Sequence, residues 1–462
     1  MTVRELSASG GHFQGYAYAY PHKTAYRRLD PPAPLAEAWA SEDKSSLFLY
    51  VHLPFCEMRC GFCNLFTTTH PAPQRVAHYL QALRRQFEAV AESLGPGARF
   101  ARLAIGGGTP TFLTPEELNH LFHLIDSHFP GLQERSPKAI ECSPATIDPD
   151  RLAVLRSHGV TRASLGVQSF VDGEVRALGR RQSATEVRDA LGLLTAAGFL
   201  CVNVDLIYGI PGQTARTWRD SLQQTLEFAP QEIYLYPLYV RPLTGLDRSA
   251  LPRRLVSPEP GFHERGNQMK PSLDPGDDRL AFYRTGRDFL LEHGYRQISM
   301  RLFRAADYAP PEGPVYCCQE DGMVGLGAGA RSYTRSLHYS TEYAVGRAGV
   351  EAILSDYIQR STAAFAFADY GCRLDAGEQR RRYVLKSLLR IDGLSLADYR
   401  SEFHSDVFDD FPQLSEFFAE GLAHRAPDRL VLTEAGFELS DVIGPWLSSA
   451  AMEERMKGFA LA

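Results

Sequence analysis

The sequence predicts an α/β fold: a partial (β/α)6 TIM-like barrel with a small C-terminal winged-helix-like domain. Two observations support this prediction, the alternation of apolar runs with amphipathic segments and the helix-capping residues between them. The apolar runs predict six strands, near residues 46–53, 100–105, 137–142, 161–166, 200–207 and 232–239. Successive βα units favour a parallel sheet that curls into an open-sided barrel. An open doubly wound sheet is the alternative, but it would bring fewer of these strand ends to one centre.

Helices are predicted between the strands from residue spacing and from caps. Apolar residues within 76–90 keep the spacing of a helix with one buried face. Thr114 and Asp148 are each followed by proline, the arrangement of an N-cap and the first helical position. Ser183 and Glu186 have the spacing of a capping box. Each helix therefore returns the chain to the start of the next strand.

We divide the chain into an N-terminal arm (1–45), the barrel (46–310), a connecting segment that caps the barrel (311–374) and a C-terminal helical, winged-helix-like domain (375–462). The arm contains a proline-rich linker at 31–34. Residues 252–276 are rich in Pro, Gly and charge, which predicts a long loop that covers the barrel mouth. A helix at 282–293 and a strand at 297–303 are predicted after this loop.

Composition narrows the possible functions. The formal net charge is −6 and the basic residues are scattered, which argues against a nucleic-acid-binding surface. No apolar run has the length of a membrane span, and the N-terminus has no apolar signal segment, so we expect a soluble, cytoplasmic protein. Eight cysteines in 462 residues are too few for a disulfide framework. A small-molecule partner and a reducing compartment are therefore expected.

Three cysteines follow the first predicted strand of the barrel. Cys56, Cys60 and Cys63 form a Cys-x3-Cys-x2-Cys pattern, and Pro54 ends the strand just before them. A structural zinc site needs a fourth protein ligand, and disulfide pairing would leave one thiol over. A [4Fe–4S] cluster held by three cysteines, with one iron open to a small molecule, fits the pattern better.

The cysteine spacing and the preceding Tyr50-x-His52-x-Pro54-Phe55-Cys56 resemble the radical S-adenosylmethionine (SAM) superfamily, and within it the family of oxygen-independent coproporphyrinogen III oxidases. The resemblance implies a [4Fe–4S] cluster on the three cysteines, SAM at its open iron, and a 5′-deoxyadenosyl radical that abstracts hydrogen. It also implies a tetrapyrrole substrate whose propionates are oxidatively decarboxylated in porphyrin biosynthesis. A reducing electron donor such as flavodoxin or ferredoxin would be required.

The resemblance also implies which residues contact SAM at the cluster. Three consecutive glycines end the second barrel strand, which allows the backbone to approach a ligand, although a plain turn would also explain them. In the family this stretch binds the methionine amino group. A carboxylate at the end of the third strand would be costly without a polar partner. The predicted contacts are Tyr50, the backbone of Phe62, Gly107, Gly108, Thr109 and Glu141. We also predict catalytic roles for Tyr50 and Arg331.

A second group follows the next strand ends. Gln168, Arg180 and Asp205 lie in Leu-Gly-x-Gln-x-Phe, in Leu-Gly-Arg and in Asp-Leu-Ile-Tyr-Gly-x-Pro, respectively. In the resembled family these residues hold a second SAM molecule, and a cation with a carboxylate would suit its charged groups. An ordinary ion pair between Arg180 and Asp205 is the alternative.

The chain departs from the resembled oxidases at two positions, because Leu65 stands where they have a further cysteine and Arg331 aligns with a branched residue of their late glycine-rich segment. A radical SAM C-methyltransferase and a haem-binding chaperone are therefore alternative functions. Candidate axial ligands for haem are His22, His52, His70 and His338. Candidate cations for substrate propionates are Lys23, Arg27, Arg241, Arg301, Arg304 and Arg331. The small-residue segment 324–333 resembles a late glycine-rich segment of the family, which implies a position beside the ligand, although tight packing would also explain it.

Overall fold

A computed structural model describes residues 1–15, 19–132, 136–248, 277–310 and 322–459. The loop predicted at 252–276 lies outside the described residues, as do Cys317 and Cys318.

The strands of the described residues are β1 (Arg27–Pro34), β2 (Leu47–Leu53), β3 (Phe55–Cys56), β4 (Thr68–Thr69), β5 (Phe100–Gly107), β6 (Lys138–Cys142), β7 (Arg162–Gln168), β8 (Cys201–Tyr208), β9 (Glu232–Pro237), β10 (Tyr295–Gln297), β11 (Leu302–Ala305), β12 (Met323–Leu326), β13 (Arg331–Tyr333), β14 (Leu337–Ser340), β15 (Phe367–Arg373), β16 (Leu394–Ser395), β17 (Ala423–Ala426) and β18 (Arg429–Leu432).

The α-helices of the described residues are α1 (Val3–Gly10), α2 (Leu35–Ala38), α3 (Pro73–Leu94), α4 (Pro115–His128), α5 (Pro149–Ser157), α6 (Asp172–Ala177), α7 (Ala184–Ala196), α8 (Ala215–Leu226), α9 (Gly245–Arg248), α10 (Arg279–Glu292), α11 (Arg347–Gln359), α12 (Ala376–Leu388), α13 (Leu396–Phe403), α14 (Val407–Asp410), α15 (Glu416–Ala419), α16 (Glu434–Glu438), α17 (Ser440–Leu447) and α18 (Ala450–Lys457).

The predicted barrel strands are β2, β5, β6, β7, β8 and β9, and they are neighbours in that order. Each pairs with the next in parallel, and β12 extends the parallel set on the other side of β2. Parallel neighbours in chain order, each pair joined by a helical crossover, form the partial (β/α)6 TIM-like barrel. Their carboxyl ends lie at one end of the barrel, which we call the mouth.

The predicted caps start the crossover helices. The Thr114 and Ser183 side chains form capping boxes with Glu117 and Glu186, and Asp148 accepts a hydrogen bond from the Arg151 backbone amide. Helix α3 turns its apolar side inward, where residues such as Tyr79 and Phe87 are fully buried in the main core. The crossovers therefore cover the outside of the sheet with apolar side chains.

Two predictions about local structure were wrong. Residues 31–34 are part of strand β1, which pairs antiparallel with β15, and are not a linker. Residues 297–303 are not one strand, because β10 and β11 form an antiparallel pair that joins the sheet through β9. Proline is tolerated in β1 because that strand is the edge of the sheet among the described residues.

The C-terminal part has its own core. Strands β16, β18 and β17 form a small antiparallel sheet, and fully buried side chains of this core include Leu394, Tyr399 and Leu430. This sheet with its flanking helices is the winged-helix-like element of the fold. The N-terminal arm contributes Val3, and the buried Tyr26, to the same core. No helix of the described residues combines the length and the hydropathy that crossing a membrane requires.

Candidate active site at the barrel mouth

The cysteine loop begins where β2 ends, at the mouth. Cys56 lies in β3, is buried, and pairs with Thr69 of β4, while Cys60 and Cys63 are half-buried. The backbone amide of Cys63 donates a hydrogen bond to the Cys60 carbonyl at 3.1 Å, which turns the loop back on itself. All three are free thiols, so the pattern keeps its ligands available.

Gly61 lies between Cys60 and Cys63, and its backbone is hydrogen-bonded to the segments that follow β7 and β9. Its amide donates to the Leu178 carbonyl at 2.8 Å, and its carbonyl accepts from the Leu246 amide at 2.7 Å. A Cβ at Gly61 would lie 2.8 Å from the Leu178 oxygen, so no larger residue fits. The loop is therefore fixed by the same segment that carries Arg180. Sequence analysis did not identify this contact, although the glycines at 61, 179 and 245 that allow it are visible in the sequence.

The thiols are electrostatically suited to a positively charged group. Burial, followed by the neighbouring Cys63, raises the pKa of Cys56 well above its ordinary value. Burial likewise raises the pKa of Cys60 to about 11, although the Arg180 charge opposes this shift. Thiolates bind metal, so the irons would supply the charge that these crowded sulfurs lack.

No three Cys, His, Asp or Glu side chains in the described ranges converge on one metal ion. Each cysteine of a [4Fe–4S] cube binds a different iron, so the sulfurs of a cluster site need not converge on one point. The three free thiols on one clamped loop therefore fit an iron–sulfur cluster.

The glycine row at the end of β5 packs against protein as well as facing the mouth. A Cβ at Gly106 would lie 2.9 Å from the Glu141 carboxyl carbon, and one at Gly108 would lie 2.5 Å from the Phe55 carbonyl oxygen. The Thr109 amide donates to the same Phe55 carbonyl at 2.7 Å, and its hydroxyl lies 3.7 Å from the Cys56 sulfur. Gly108 and Thr109 therefore hold the first cysteine in position.

Glu141 ends β6 beside this glycine row. One carboxylate oxygen accepts a hydrogen bond from the Gly107 amide at 3.0 Å. Surrounding protein, with a smaller effect from Asp205, raises the pKa of Glu141. The Glu141 side chain is exposed within the concave mouth. A ligand that displaced water there would need to offer Glu141 a donor or a cation.

Gln168 ends β7, Arg180 lies in the loop after α6, and Asp205 lies within the neighbouring strand β8, where the Arg180 charge acts on it. Gln168 has a φ of 69° next to an irregularity in the β7–β8 register, a conformation that non-glycine residues rarely adopt. Asp205 accepts a hydrogen bond from Asn203 at 2.8 Å, and burial raises its pKa to about 6. Strain and a desolvated carboxylate together mark a candidate binding site.

The predicted alternative, an ion pair between Arg180 and Asp205, is wrong. Neither side chain has an ion-pair partner within 4 Å among the described residues. The Nε of Arg180 is buried and makes no hydrogen bond in that part of the chain. The cation and the carboxylate are both available to a ligand that carries the opposite charges.

Tyr50 and His52 form a fixed pair on the inner face of β2. The ring nitrogens of His52 lie 3.2 Å from the Tyr50 hydroxyl and 3.0 Å from the Phe66 carbonyl. Because a carbonyl only accepts, Nε2 carries the proton and Nδ1 accepts from Tyr50. Burial lowers the pKa of His52 to about 4, which keeps the ring neutral. His52 therefore positions Tyr50 and has no nitrogen left for haem.

Three of the six predicted substrate cations lie near one another at the mouth. After burial, the charges of Lys23, Arg331 and Arg241 are the main causes that hold the pKa of His22 well below its ordinary value. Lys23 and Arg331 also act on His52. Lys23 is buried, with its Nζ 3.6 Å from the centre of the Tyr343 ring.

The other three cations have the following protein partners. Arg301 binds both oxygens of Asp441 at 2.7 Å, and Arg304 binds Glu232 at 2.8 Å at the amino end of β9. Arg27 donates to the carbonyls of Thr24 and Tyr26. The prediction that Arg301 and Arg304 bind substrate was wrong, because both are paired with carboxylates that are distant in the chain and that sequence alone did not identify.

The glycine-rich segment at 324–333 is explained by packing. Its amides at 327, 328 and 329 donate to Gln86, Tyr79 and Thr341, respectively. A Cβ at Gly327 would lie 2.4 Å from the His52 carbonyl oxygen. The segment therefore packs against the end of β2, and its turn at 327–330 follows the carboxyl end of β12, at the mouth end of the parallel strands.

One buried carboxylate near the second group was not predicted. Glu174 of α6, only 3% exposed, accepts from the hydroxyl of Ser169 at 2.7 Å and from Gln213 at 3.1 Å. Ser169 directly follows the strained Gln168, so this network fixes the end of β7. A Glu two residues into a short amphipathic helix gives no sequence signal of burial.

Comparisons with known proteins agree with this architecture. The profile of the Radical SAM superfamily matches residues 50–225. An oxygen-independent coproporphyrinogen III oxidase from Synechocystis is 28% identical over 90% of this chain and 88% of that protein. The heme chaperone HemW from Bacillus subtilis is 27% identical over 86% of this chain and 98% of that protein. The structure of coproporphyrinogen III oxidase from Escherichia coli superposes with a TM-score of 0.76 at 22% identity, covering 94% of this chain and 97% of that one, and so has the same fold.

The three-cysteine loop at the mouth of the partial (β/α)6 barrel lies within the region that matches the Radical SAM superfamily. The chain is similar both to proteins named as oxygen-independent coproporphyrinogen III oxidases and to proteins named as heme chaperones. The superfamily implies a [4Fe–4S] cluster and SAM.

Proposed function

We propose that this protein is a radical SAM oxidoreductase that abstracts hydrogen from an anionic tetrapyrrole, with oxidative decarboxylation of coproporphyrinogen-like propionates as the reaction. Cys56, Cys60 and Cys63 would hold the cluster, which together with SAM supplies the one-electron chemistry that creates a hydrogen-abstracting radical. A cytoplasmic setting and a donor such as flavodoxin or ferredoxin belong to the same proposal, because free thiols and a cluster require reducing conditions.

The observation that carries the substrate class is the group of cations at the mouth. Lys23 from the N-terminal arm, Arg241 from beyond β9 and Arg331 from β13 come from three distant parts of the chain. A tetrapyrrole carries several propionates on one wide ring, so its binding needs cations on more than one side. One ammonium and two guanidinium groups from separate elements would meet that requirement.

Other residues would bind and orient the cofactor. The ammonium of a SAM molecule suits Glu141 or Asp205, whose raised pKa values indicate carboxylates that lack a cation. Arg180 suits its carboxylate. Tyr50, held by His52, would direct a hydroxyl toward the same space. We propose that Phe62, Gly107, Gly108, Thr109 and Gln168 complete these contacts, and that the mouth accommodates two SAM molecules.

The test is an anaerobic incubation of reconstituted protein with dithionite, SAM and coproporphyrinogen III. We expect 5′-deoxyadenosine and a product that has lost two CO2. The variants Arg241→Ala and Arg331→Ala should raise KM at least roughly tenfold, since each removes a charge-assisted contact. Exposed Arg28→Ala is the matched control. Methylated product instead would identify a methyltransferase, and absence of tetrapyrrole binding would exclude this substrate class.

A second candidate function is haem binding by a chaperone. Leu65 is 46% exposed where the resembled oxidases have a cysteine, and the chain spans nearly the whole length of the B. subtilis heme chaperone it matches. Of the four histidines considered as axial ligands, His70 is the one with an exposed side chain, and His338 is fully buried against Tyr333.

A haem titration distinguishes this candidate from the oxidase. In a chaperone, His70→Ala should remove the Soret change that accompanies ligation, whereas His338→Ala should not alter it. Haem binding unchanged in His70→Ala would exclude this ligand.

A further inference from the structure

Helix α6 and the residues that follow it connect the cysteine loop with the end of β7. The Leu178 carbonyl accepts a hydrogen bond from the Gly61 amide at 2.8 Å. Four residues later, the Gln182 side-chain amide donates to the Val167 carbonyl at 2.6 Å. Arg180 lies between these two attachments, and its buried Nε makes no hydrogen bond among the described residues. The position of Arg180 therefore depends on how α6 is held.

A buried carboxylate holds α6 in place. Glu174 is only 3% exposed, and its Oε2 accepts hydrogen bonds from the Ser169 hydroxyl at 2.7 Å and from Gln213 Nε2 at 3.1 Å. The other oxygen, Oε1, is buried and has no hydrogen-bond partner in the described ranges, which also provide no ion-pair partner for this carboxylate. Burying a carboxylate without a cation costs free energy, and an apolar side chain would cover α6 without that cost. Packing alone therefore does not explain a glutamate at this position.

The two donors to Glu174 fix the ends of neighbouring strands. Ser169 directly follows Gln168, whose φ of 69° must be maintained by the surrounding structure. Gln213 accepts a hydrogen bond through its Oε1 from the Gly209 amide at 2.7 Å, directly after β8 ends. Glu174 therefore connects α6 with the end of β7 and the end of β8 through one oxygen atom.

We propose that Glu174 is a positioning residue, which holds Gln168 and Arg180 at a fixed separation so that they bind the carboxylate of a ligand. This role rests on the proposed function, in which that ligand is a second SAM molecule. A guanidinium group binds a carboxylate through two parallel hydrogen bonds, and this pairing depends on orientation. Loosening α6 should therefore weaken binding although no group that contacts the ligand is removed.

Two substitutions separate the effect of position from the effect of charge. Because both donors bind the same oxygen, Glu174→Gln keeps an acceptor for them and removes the charge, whereas Glu174→Leu removes the acceptor. In Glu174→Leu, hydrogen–deuterium exchange of the ligand-free protein should increase in peptides from 167–182 and 209–214. Equilibrium dialysis of this variant after reconstitution should show the second SAM molecule bound roughly tenfold more weakly or worse, with the cluster absorbance retained. Glu174→Gln should stay close to wild type in all three measurements.

A buried glutamate in the C-terminal domain provides the matched control. Glu378 is 7% exposed and accepts hydrogen bonds from the hydroxyls of Tyr20 and Ser449. Glu378→Leu should lower the Tm, as Glu174→Leu does, because each leaves two buried donors without their acceptor. It should leave both the exchange of 167–182 and the binding of SAM unchanged.

The proposal is overturned if Glu174→Leu leaves exchange and SAM binding unchanged. It is also overturned if Glu174→Gln loses as much SAM affinity as Glu174→Leu, since charge and not position would then be responsible. An equal loss in Glu378→Leu would overturn it as well, because general destabilisation would explain the effect. Wild-type protein that binds a single SAM molecule would instead contradict the proposed second cofactor, and the exchange of Glu174→Leu would still decide whether Glu174 positions this part of the mouth.

Discussion

Carboxylates at the two ends of the barrel interior differ in their cationic partners and in their pKa values. At the amino ends of the strands, Glu232 accepts hydrogen bonds from Arg162 at 2.9 Å and from Arg304 at 2.8 Å. Despite burial, these two arginines hold the pKa of Glu232 below its ordinary value. At the mouth, Glu141 and Asp205 have no cation within ion-pair distance among the described residues, and their pKa values are raised.

This difference distinguishes charged groups that stabilise the fold from charged groups that would bind a ligand. A buried carboxylate between two guanidinium groups recovers its lost hydration within the protein. A carboxylate held in a concave site without a cation does not, and folding alone gives no reason to keep it there. From this comparison we infer that Glu232 stabilises the fold. We propose that Asp205 and Arg180 bind a ligand.

The largest expected effect concerns two thiols at opposite ends of the barrel, the half-buried Cys60 and the buried Cys201. Cys60→Ala should abolish the cluster absorbance of anaerobically reconstituted protein, because the loop offers no replacement thiolate. Cys201→Ala, at the amino end of β8, should keep the full absorbance. The measurement is the absorbance near 400 nm together with the iron content. An intact cluster in Cys60→Ala would show that the ligand assignment is wrong.

The next effect is on cofactor binding at the mouth. Asp205→Asn and Arg180→Ala should each weaken SAM binding at the second site, since losing a charge-assisted contact costs roughly 1.5–3 kcal/mol, which is more than tenfold in affinity. The cluster absorbance should remain. Equilibrium dialysis with labelled SAM measures both stoichiometry and affinity, and Glu232→Gln serves as the control from the other end. Unchanged stoichiometry and affinity in both mouth variants would mean that the pair has no part in binding.

Sequence reasoning identified the mouth better than it identified the ends of the sheet. The six barrel strands and the caps at Thr114, Asp148 and Ser183 are encoded locally, by apolar runs and by residues that bind their own helix. Strand β1 forms by pairing with β15, which is more than 330 residues away in the chain. The local sequence, which contains Pro31 and Pro34, predicted a linker instead.

The same distinction explains the errors among charged residues. Arg180 and Asp205 were found because motifs surround them. Arg301 and Arg304 were misassigned because their partners, Asp441 and Glu232, are 140 and 72 residues away. Whether a cation is paired is a tertiary property, and residue type does not reveal it.

A moderate effect on stability is expected at the amino end. Glu232→Gln leaves Arg162 and Arg304 without their carboxylate, and breaking a buried pair costs about 3–5 kcal/mol. Because each of these arginine side chains is about a quarter exposed, we expect about 2–3 kcal/mol. Thermal unfolding should show a lower Tm with the cluster retained. Loss of the cluster without any change in Tm would contradict the division between the two ends.

The smallest effect is the pH dependence of stability, and its sign differs between the ends. The pKa of Asp205 is raised from 3.8 to about 6, so its contribution is full below the unfolded value and is lost as pH rises through about 6. The pKa of Glu232 is lowered, so its contribution is present above the unfolded value and is lost as pH falls. The Tm of Asp205→Asn relative to wild type should therefore rise between about pH 4 and about pH 7. The deficit of Glu232→Gln should grow over the same interval, and differential scanning fluorimetry measures both. Parallel pH profiles for the two variants would show that the two carboxylates have equivalent environments. That result would contradict the difference between their cationic partners.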